Sequence, residues 1–552
     1  MTYVVTQSCC ADASCVVACP VNCIHPAPGE PGFATAEMLY VDANSCVGCG
    51  ACATACPVDA IKPDTSLTPA EQPFLQINAD YYDCFPHAGR APVAVVPKQR
   101  RLSRSGTFRV AVVGAGPAGL YAADELLAHP EISVDVYDRL PTPYGLVRAG
   151  VAPDHQHTKQ VTKLFAKIEE QPGFRYFLNV DVGTDVSLAD LEAQYDAVVY
   201  AVGASSDRRL GIEGENLPGS LSATDLVGWY NGHPDKQDLH VPLDHHRAVV
   251  IGNGNVALDV ARILASDPAR LEHTDMAGLP WAALTRSGVQ EVVVLGRRGP
   301  ADAAFTEPEL VGLVGLAEAG EINVRIDTGG APLTSGSGSH SRKVQLLAGL
   351  ADLPGNPARR TLVLRFDTSP VRVCGADRVT GLEVVRDGIA EVIEAGLVLR
   401  AIGYHGLPVL DLPYDELSGT VPNDRGRVRP GLYVVGWIKR GPSGFIGTNK
   451  SCAQETVERI LDDLDGGLPA PVGTSESIAE VVHGRQPAVV DLAGWRAIEA
   501  EERRRGELRG RSRAKIVDVS EMVRVAGSAT LATPVRRYPS VSNTLRRLER
   551  KR

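Results

Sequence analysis

Nine of the chain's twelve cysteines fall between Cys9 and Cys56, and only Cys84, Cys374 and Cys452 lie beyond. The first residues, Met1 to Cys10, lack a basic stretch followed by an apolar run, so no secretory signal is expected and the cytoplasm is the expected location. Thiols at this density in a reducing compartment bind metal rather than pair as disulfides.

Spacing narrows the metal. Cys46-x2-Cys49-x2-Cys52-x3-Cys56-Pro57 is the run that holds an iron–sulfur cubane, with the fourth cysteine ligating a second cluster. Gly48 and Gly50 suit the tight turns between those thiolates. Upstream, Cys9-x5-Cys15-x3-Cys19-Pro20 is an incomplete copy, and Cys19-Pro-Val repeats as Cys56-Pro-Val. Exchange of fourth ligands gives Cys19, Cys46, Cys49 and Cys52 to one [4Fe-4S] cluster and leaves Cys9, Cys15 and Cys56 for the other. Three ligands favour [3Fe-4S], with a second [4Fe-4S] open if Cys10 or Cys23 supplies a thiolate; both are otherwise expected as buried thiols, and Cys84 as a bystander. Paired Cys-x2-Cys units also bind zinc, but the x2-x2-x3-Pro run and its half-repeat favour iron. This head resembles the seven-iron ferredoxins, from which it departs in the short Cys9 to Cys15 loop.

At 552 residues and 44% hydrophobic composition the chain can build three or four domains. Its net charge of -10, with no large basic block before the C-terminus, argues against nucleic acid, and no apolar run is long enough to cross a membrane.

Beyond the head come strand-to-glycine-to-helix signals. Phe108 to Val113 runs into Gly114-Ala-Gly116-Pro-Ala118-Gly119, and Asp138 closes the next strand about 20 residues on, where a carboxylate takes ribose hydroxyls. A second strand, Arg247 to Ile251, runs into Gly252-Asn253-Gly254-Asn255-Val256-Ala257, but its next strand ends in Gly296-Arg297-Arg298. Guanidinium groups at that position suit a 2'-phosphate, so NADP is expected there. A third glycine-rich turn spans Gly436 to Gly447, before a helix from about Ser451. The order (first unit, second unit, return to the first) implies an NADP domain inserted in an FAD domain.

Leu140 to His155 and Gly436 to Lys450 resemble the adrenodoxin reductase family of ferredoxin–NADP reductases, and with the head the whole is similar to the actinobacterial ferredoxin/ferredoxin–NADP reductase fusions. The resemblance implies FAD contacts at Gly114, Gly116, Ala118, Gly119, Asp138, Leu146, Val182, Trp437, Gly444, Phe445 and Ile446. It implies NADP contacts at Arg208, Asn253, Gly254, Asn255, Val256, Arg297, Arg298, Glu309 and Gly444. His155 and Glu309 are candidates for proton traffic at the flavin, or else hydrogen-bond partners of nucleotide or backbone. The implied activity takes hydride from NADPH to FAD and passes single electrons to the clusters or to a separate ferredoxin, with cytochrome P450 systems among the expected acceptors. A disulfide reductase is disfavoured because no Cys-x-x-Cys accompanies Cys374 or Cys452. A non-catalytic carrier would have to keep both nucleotide signatures unused.

The expected architecture is an α+β ferredoxin-like head joined to an α/β reductase with two Rossmann-type, glutathione reductase-like domains. The expected divisions are 1–65 (ferredoxin), 66–107 (loop-rich extension and linker), 108–210 and 406–485 (FAD), 211–405 (NADP) and 486–552 (helical segment and basic tail). From about Ala497 the arginine clusters are read as a solvated tail rather than a docking surface for an acidic ferredoxin.

Overall fold

The computed structural model describes residues 1–86, 100–333, 339–471, 473 and 477–532. In the head, the strand Tyr3–Val5 pairs antiparallel with Ile61–Pro63, and Ile24–His25 pairs antiparallel with Tyr40–Val41. The half-repeat seen in the sequence is a structural repeat. The helices Ser14–Ala18 and Ala51–Ala55 each follow a residue in the left-handed region, Ala13 and Gly50, and each ends on an extended cysteine, Cys19 and Cys56, with ψ of 117° in both. Three residues further on, Asn22 and Asp59 both take positive φ.

The head does not stop at residue 65. The segment expected as loop-rich contains a helix, Pro73–Cys84, entered through a Thr68–Glu71 capping box with prolines in both first turns. Its Asn78 fastens both small sheets: the side-chain oxygen accepts from the N–H groups of Val5 and Val41, and the amide donates to Val5 O and Phe74 O. Tyr82 donates to the carbonyls of Cys23 and Tyr40.

The reductase contains two six-stranded sheets. One runs in the order Arg427–Arg429, Leu432–Val434, Ala197–Tyr200, Phe108–Val113, Ile132–Asp138, Phe174–Leu178, parallel except at its first pair. The other is wholly parallel: Ser220–Ser222, Leu397–Arg400, Arg247–Ile251, Glu291–Leu295, Thr361–Arg365, Asn323–Asp327. All strands of the second lie in the chain between Tyr200 and Arg427, so its domain is inserted into the first. The two crossing segments pair with each other, Ser206–Asp207 against Tyr404–His405. The central strands read Val-Ala-Val-Val and Ala-Val-Val-Ile, continuous apolar runs as expected for strands covered on both faces.

The C-terminal reading needs a larger correction. Helices Leu492–Glu507 and Val519–Ala532 belong to the first reductase domain, with Trp495, Ile498, Ile516 and Met522 fully buried in its core against Tyr144 and Phe165. Arginines mask an apolar stripe: they pair along the outer face with Glu499, Glu501 and Glu521, leaving the tryptophan face free to pack. The final basic residues, Arg546 to Arg552, lie outside the described residues.

Candidate functional site: two nucleotide turns and a thiol-lined head

Glycines make both nucleotide turns. Gly114 has φ 114°, and a Cβ there would sit 2.5 Å from Ala201 O; at Gly119 it would sit 2.0 Å from Gly114 O. Gly116 caps the helix Pro117–Leu127 with no side-chain hydrogen bond, so the helix's first N–H groups remain for an anion. Asp138 accepts from the N–H groups of Ala115 and Leu140, which fixes its carboxylate at the turn with lone pairs to spare. Burial raises that carboxyl above its ordinary range. Gly436, with φ 76°, faces Ala118 closely enough that a Cβ would lie 2.5 Å away. Trp437 follows Gly436 directly, Ala118 and Ile446 pack on the same core, Leu146 lies on the short helix Gly145–Ala149 and Val182 packs with the cluster around Tyr137. Phe445 N–H donates to Thr448 Oγ1, and Asn449 donates to the carbonyls of Phe445 and Ile446.

The second turn repeats the design. A Cβ on Gly252 would meet Ala401 O at 2.3 Å, and Gly254 caps Asn255–Ala265 without a side-chain bond. Asn255 and Thr306 exchange hydrogen bonds, tying the turn to the segment before Glu307–Glu318, while Asn253 accepts from Ala304 N–H. Val256 is half-buried in the first helical turn. Arg297 and Arg298 are exposed at the carboxyl end of Glu291–Leu295, and Arg208 is exposed beside Gly403, its N–H bonded to Gly403 O. Both turns thus leave an open cradle of backbone donors that fits a dinucleotide pyrophosphate.

Between the two domains, His155 Nε2 lies 3.8 Å from Glu309 Oε2 and 3.9 Å from Asp259 Oδ1. The sequence reading missed Asp259 and its neighbours Arg262 and Asp154. The guanidinium of Arg262 touches Asp259 and Asp154 and lies 3.0 Å from His155 Nε2. Burial pushes the Asp259 carboxyl upward; His155 opposes that rise and Glu309 adds to it. Arg262 supplies a cation to Asp259 and Asp154. Asp259 and Arg262 form an i, i+3 pair visible in the sequence; Asp154 had no such signal.

The head's thiols fall into two sets. Cys19 and Cys23 Sγ are 3.4 Å apart and share a hydrogen bond, and the Cys23 N–H also donates to Cys19 Sγ, which together lower the Cys19 thiol below its ordinary range. Cys46 accepts from Gly48 N–H, Cys52 is buried and Cys49 is exposed. Cys19, Cys46 and Cys52 pack in the head's core, which Val311 and Leu346 of the inserted domain help to cover. Cys9 and Cys56, in contrast, also lie against the core of the first reductase domain, where Cys10 is buried; Cys15 is buried in the head. Among the spare thiols, Cys23 accompanies the Cys19 set, and Cys10 is chain neighbour to Cys9. Thiolates converging from two turns fit iron–sulfur ligation.

A cysteine-rich head, two dinucleotide turns and a glycine-rich loop against the first of them define an iron–sulfur flavoprotein oxidoreductase of the pyridine nucleotide type. Residues 108–292 match the family pyridine nucleotide-disulphide oxidoreductase, and residues 39–62 match the 4Fe-4S binding domain. A probable ferredoxin/ferredoxin–NADP reductase of Mycobacterium leprae is 50% identical, covering 96% of this chain and 98% of the relative. The solved structure of Mycobacterium tuberculosis FprA in complex with NADPH aligns with TM-score 0.72 and 43% identity, over 76% of this chain and 99% of that one. NADPH:adrenodoxin oxidoreductase of Arabidopsis thaliana is 38% identical, over 76% of this chain and 96% of its own. The chain belongs to the ferredoxin/ferredoxin–NADP reductase family. It is an oxidoreductase that uses FAD, NADPH and an iron–sulfur cluster. No helix among the described residues is long and apolar enough to cross a membrane.

Proposed function

We propose that the chain takes hydride from NADPH at a flavin seated on the Gly114–Gly119 turn and delivers single electrons to the clusters of its own head, for a ferredoxin or a cytochrome P450 system in the cytoplasm. The observation that carries this reading is the 3.8 Å approach of His155, on the flavin side, to Glu309, on the helix tied to the second nucleotide turn. That approach supports a single reaction space shared by the two cradles. Bound flavin accepts a hydride and releases electrons singly, which joins a two-electron donor to a one-electron carrier.

The residues have distinct tasks. Gly114, Gly116, Gly119 and Asp138 hold the FAD pyrophosphate and ribose, with Ala118, Leu146 and Val182 along its length and Trp437 with Gly444 to Ile446 beside the ring. Gly254 and the first turn of Asn255–Ala265 hold the NADP pyrophosphate, Asn253, Asn255 and Val256 its approach, and Arg208, Arg297 and Arg298 its 2'-phosphate side. Gly444 leaves room for nicotinamide against the flavin. Glu309 and His155 hold the proton side of the hydride transfer, with Arg262 and Asp259 fixing the imidazole. Cys19, Cys46, Cys49 and Cys52 bind [4Fe-4S]; Cys9, Cys15 and Cys56 bind [3Fe-4S], and Cys10 is the thiol in reach should that cluster be a second [4Fe-4S].

Anaerobic titration with NADPH tests the whole reading. Flavin absorbance bleaches, and the oxidised protein shows an EPR signal near the free-electron value from [3Fe-4S]. A flavin that stays oxidised would overturn the reductase assignment, and an EPR-silent oxidised protein would replace [3Fe-4S] with [4Fe-4S].

A further inference from the structure

A backbone hydrogen bond joins the flavin domain to the head's first cysteine loop. Gly447, buried at the end of the Gly444 to Ile446 loop, donates its N–H to Cys10 O at 2.7 Å. The approach is so close that a Cβ on Gly447 would lie 2.1 Å from Asp12 N and 2.2 Å from Ala11 C. Because those neighbours are backbone, only glycine allows the contact. Lys450 Nζ reaches Ser14 Oγ at 3.4 Å on the same side. The loop from Cys9 to Cys15 is thus seated on the segment that flanks the flavin ring.

The two thiol sets relate to this junction differently. Cys9 and Cys56 pack against the core of the flavin domain together with Ile446, and Cys10 is part of it, whereas the core around Cys19 and Cys52 meets Val311 and Leu346 of the inserted domain. None of Cys19, Cys46, Cys49 and Cys52 packs against the flavin domain's core; Cys49 is exposed, and Val47 beside it is 63% exposed. Electron tunnelling weakens steeply with distance, so the set next to the flavin loop receives first and the set at the surface delivers.

We propose that the head is wired in a fixed order: electrons enter through the Gly444–Gly447 loop into the cluster of Cys9, Cys15 and Cys56, and leave the chain from the cluster of Cys19, Cys46, Cys49 and Cys52. This rests on the NADPH–flavin reading above. The balance closes within one turnover: NADPH yields NADP+, a proton that passes to solvent and two electrons, and each cluster takes one.

The test uses the full-length holoprotein mixed anaerobically with NADPH and sampled by rapid-freeze EPR and stopped-flow absorbance. In the native chain the signal of the first cluster changes before that of the second. In Cys15→Ala, with the remaining cluster verified by iron content and by reduction with dithionite, NADPH still bleaches the flavin, but reduction of the remaining cluster slows at least tenfold. Equal or faster reduction of that cluster, or the reverse order in the native chain, would overturn the route while leaving the reductase reading intact; absence of flavin bleaching in the native chain would instead remove the reading itself. If Cys15→Ala fails to fold, the order of signals in the native chain decides alone.

Discussion

The backbone N–H of Glu307 donates to the carboxylate of Glu37 at 2.8 Å, so a side chain of the head caps the helix that carries Glu309. Thr306, at the helix's own N-cap, makes no such bond. Glu37 therefore stands where a capping residue belongs, from another domain.

Removing that cap loosens the first turn, and Glu309 lies on it. Glu37→Ala should slow flavin reduction by NADPH roughly two- to fivefold, matching a cap worth about 1 kcal/mol, in a stopped-flow measurement. Burial raises the Glu37 carboxyl, and burial together with Glu37 pushes Glu307 up to about 7. The folded state then keeps protons that the unfolded chain releases, so between the ordinary carboxylate range and about pH 7 stability falls as pH rises. Glu37→Gln keeps an acceptor and removes one charge. It should flatten that fall in Tm-against-pH curves; an unchanged slope would show that the pair is not coupled.

Arg297 and Arg298 have exposed side chains at the end of the strand Glu291–Leu295. Replacing either by Ala should raise KM for NADPH by roughly tenfold or more, since a charge-assisted hydrogen bond contributes about 1.5–3 kcal/mol. KM for NADH should hardly move. Equal losses with both nucleotides would place the arginines away from the 2'-phosphate.

Asp275 of the inserted domain lies between Lys159 of the flavin domain, at 2.6 Å, and Lys515 of the C-terminal segment, at 3.0 Å. Its carboxyl is held well below the ordinary range by the two ammonium groups, against a desolvation cost. Asp275→Ala leaves two buried cations unpaired and should cost about 3–5 kcal/mol, measured by chemical denaturation. With a folded value depressed below the unfolded one, the carboxylate's contribution is present above the ordinary carboxylate range and is lost as pH falls through and below it. Asp275→Asn should therefore flatten the acid limb of the stability profile.

Trp495 is fully buried against Tyr144, with ring centroids 5.5 Å apart. Trp495→Ala should cost about 3–5 kcal/mol, and a chain ending at residue 490 should fail to retain flavin. Retention of flavin by the shortened chain would return the C-terminal helices to the role of an appendage.

Cysteine spacing and glycine placement made the head and both nucleotide turns legible, because cluster and pyrophosphate each dictate local backbone. Pairings across long stretches of chain were not. Gly447 reads as one more glycine in a rich loop, and nothing near it names Cys10 as its partner. The helix Pro73–Cys84 lies in the stretch that reads as loop-rich, yet Thr68, Glu71 and two prolines are the signals of a helix start. In Leu492–Glu507 the arginines dominate the composition, and the stripe of Trp495 and Ile498 emerges only once the charged face is paired.

The burial of Trp495 in one core with Val110, Leu120 and Phe165 has a consequence for biogenesis. The flavin domain opens with Phe108–Val113 yet is completed by helices near the far end of the chain, so no fragment emerging from the ribosome can finish it early. The head, complete by Cys84, needs no later strand for its own sheets. Synthesis therefore completes the head's strands and cysteines while its reductase is still an unfinished sheet, and Leu492–Glu507 and Val519–Ala532, made far later, close the flavin domain behind it.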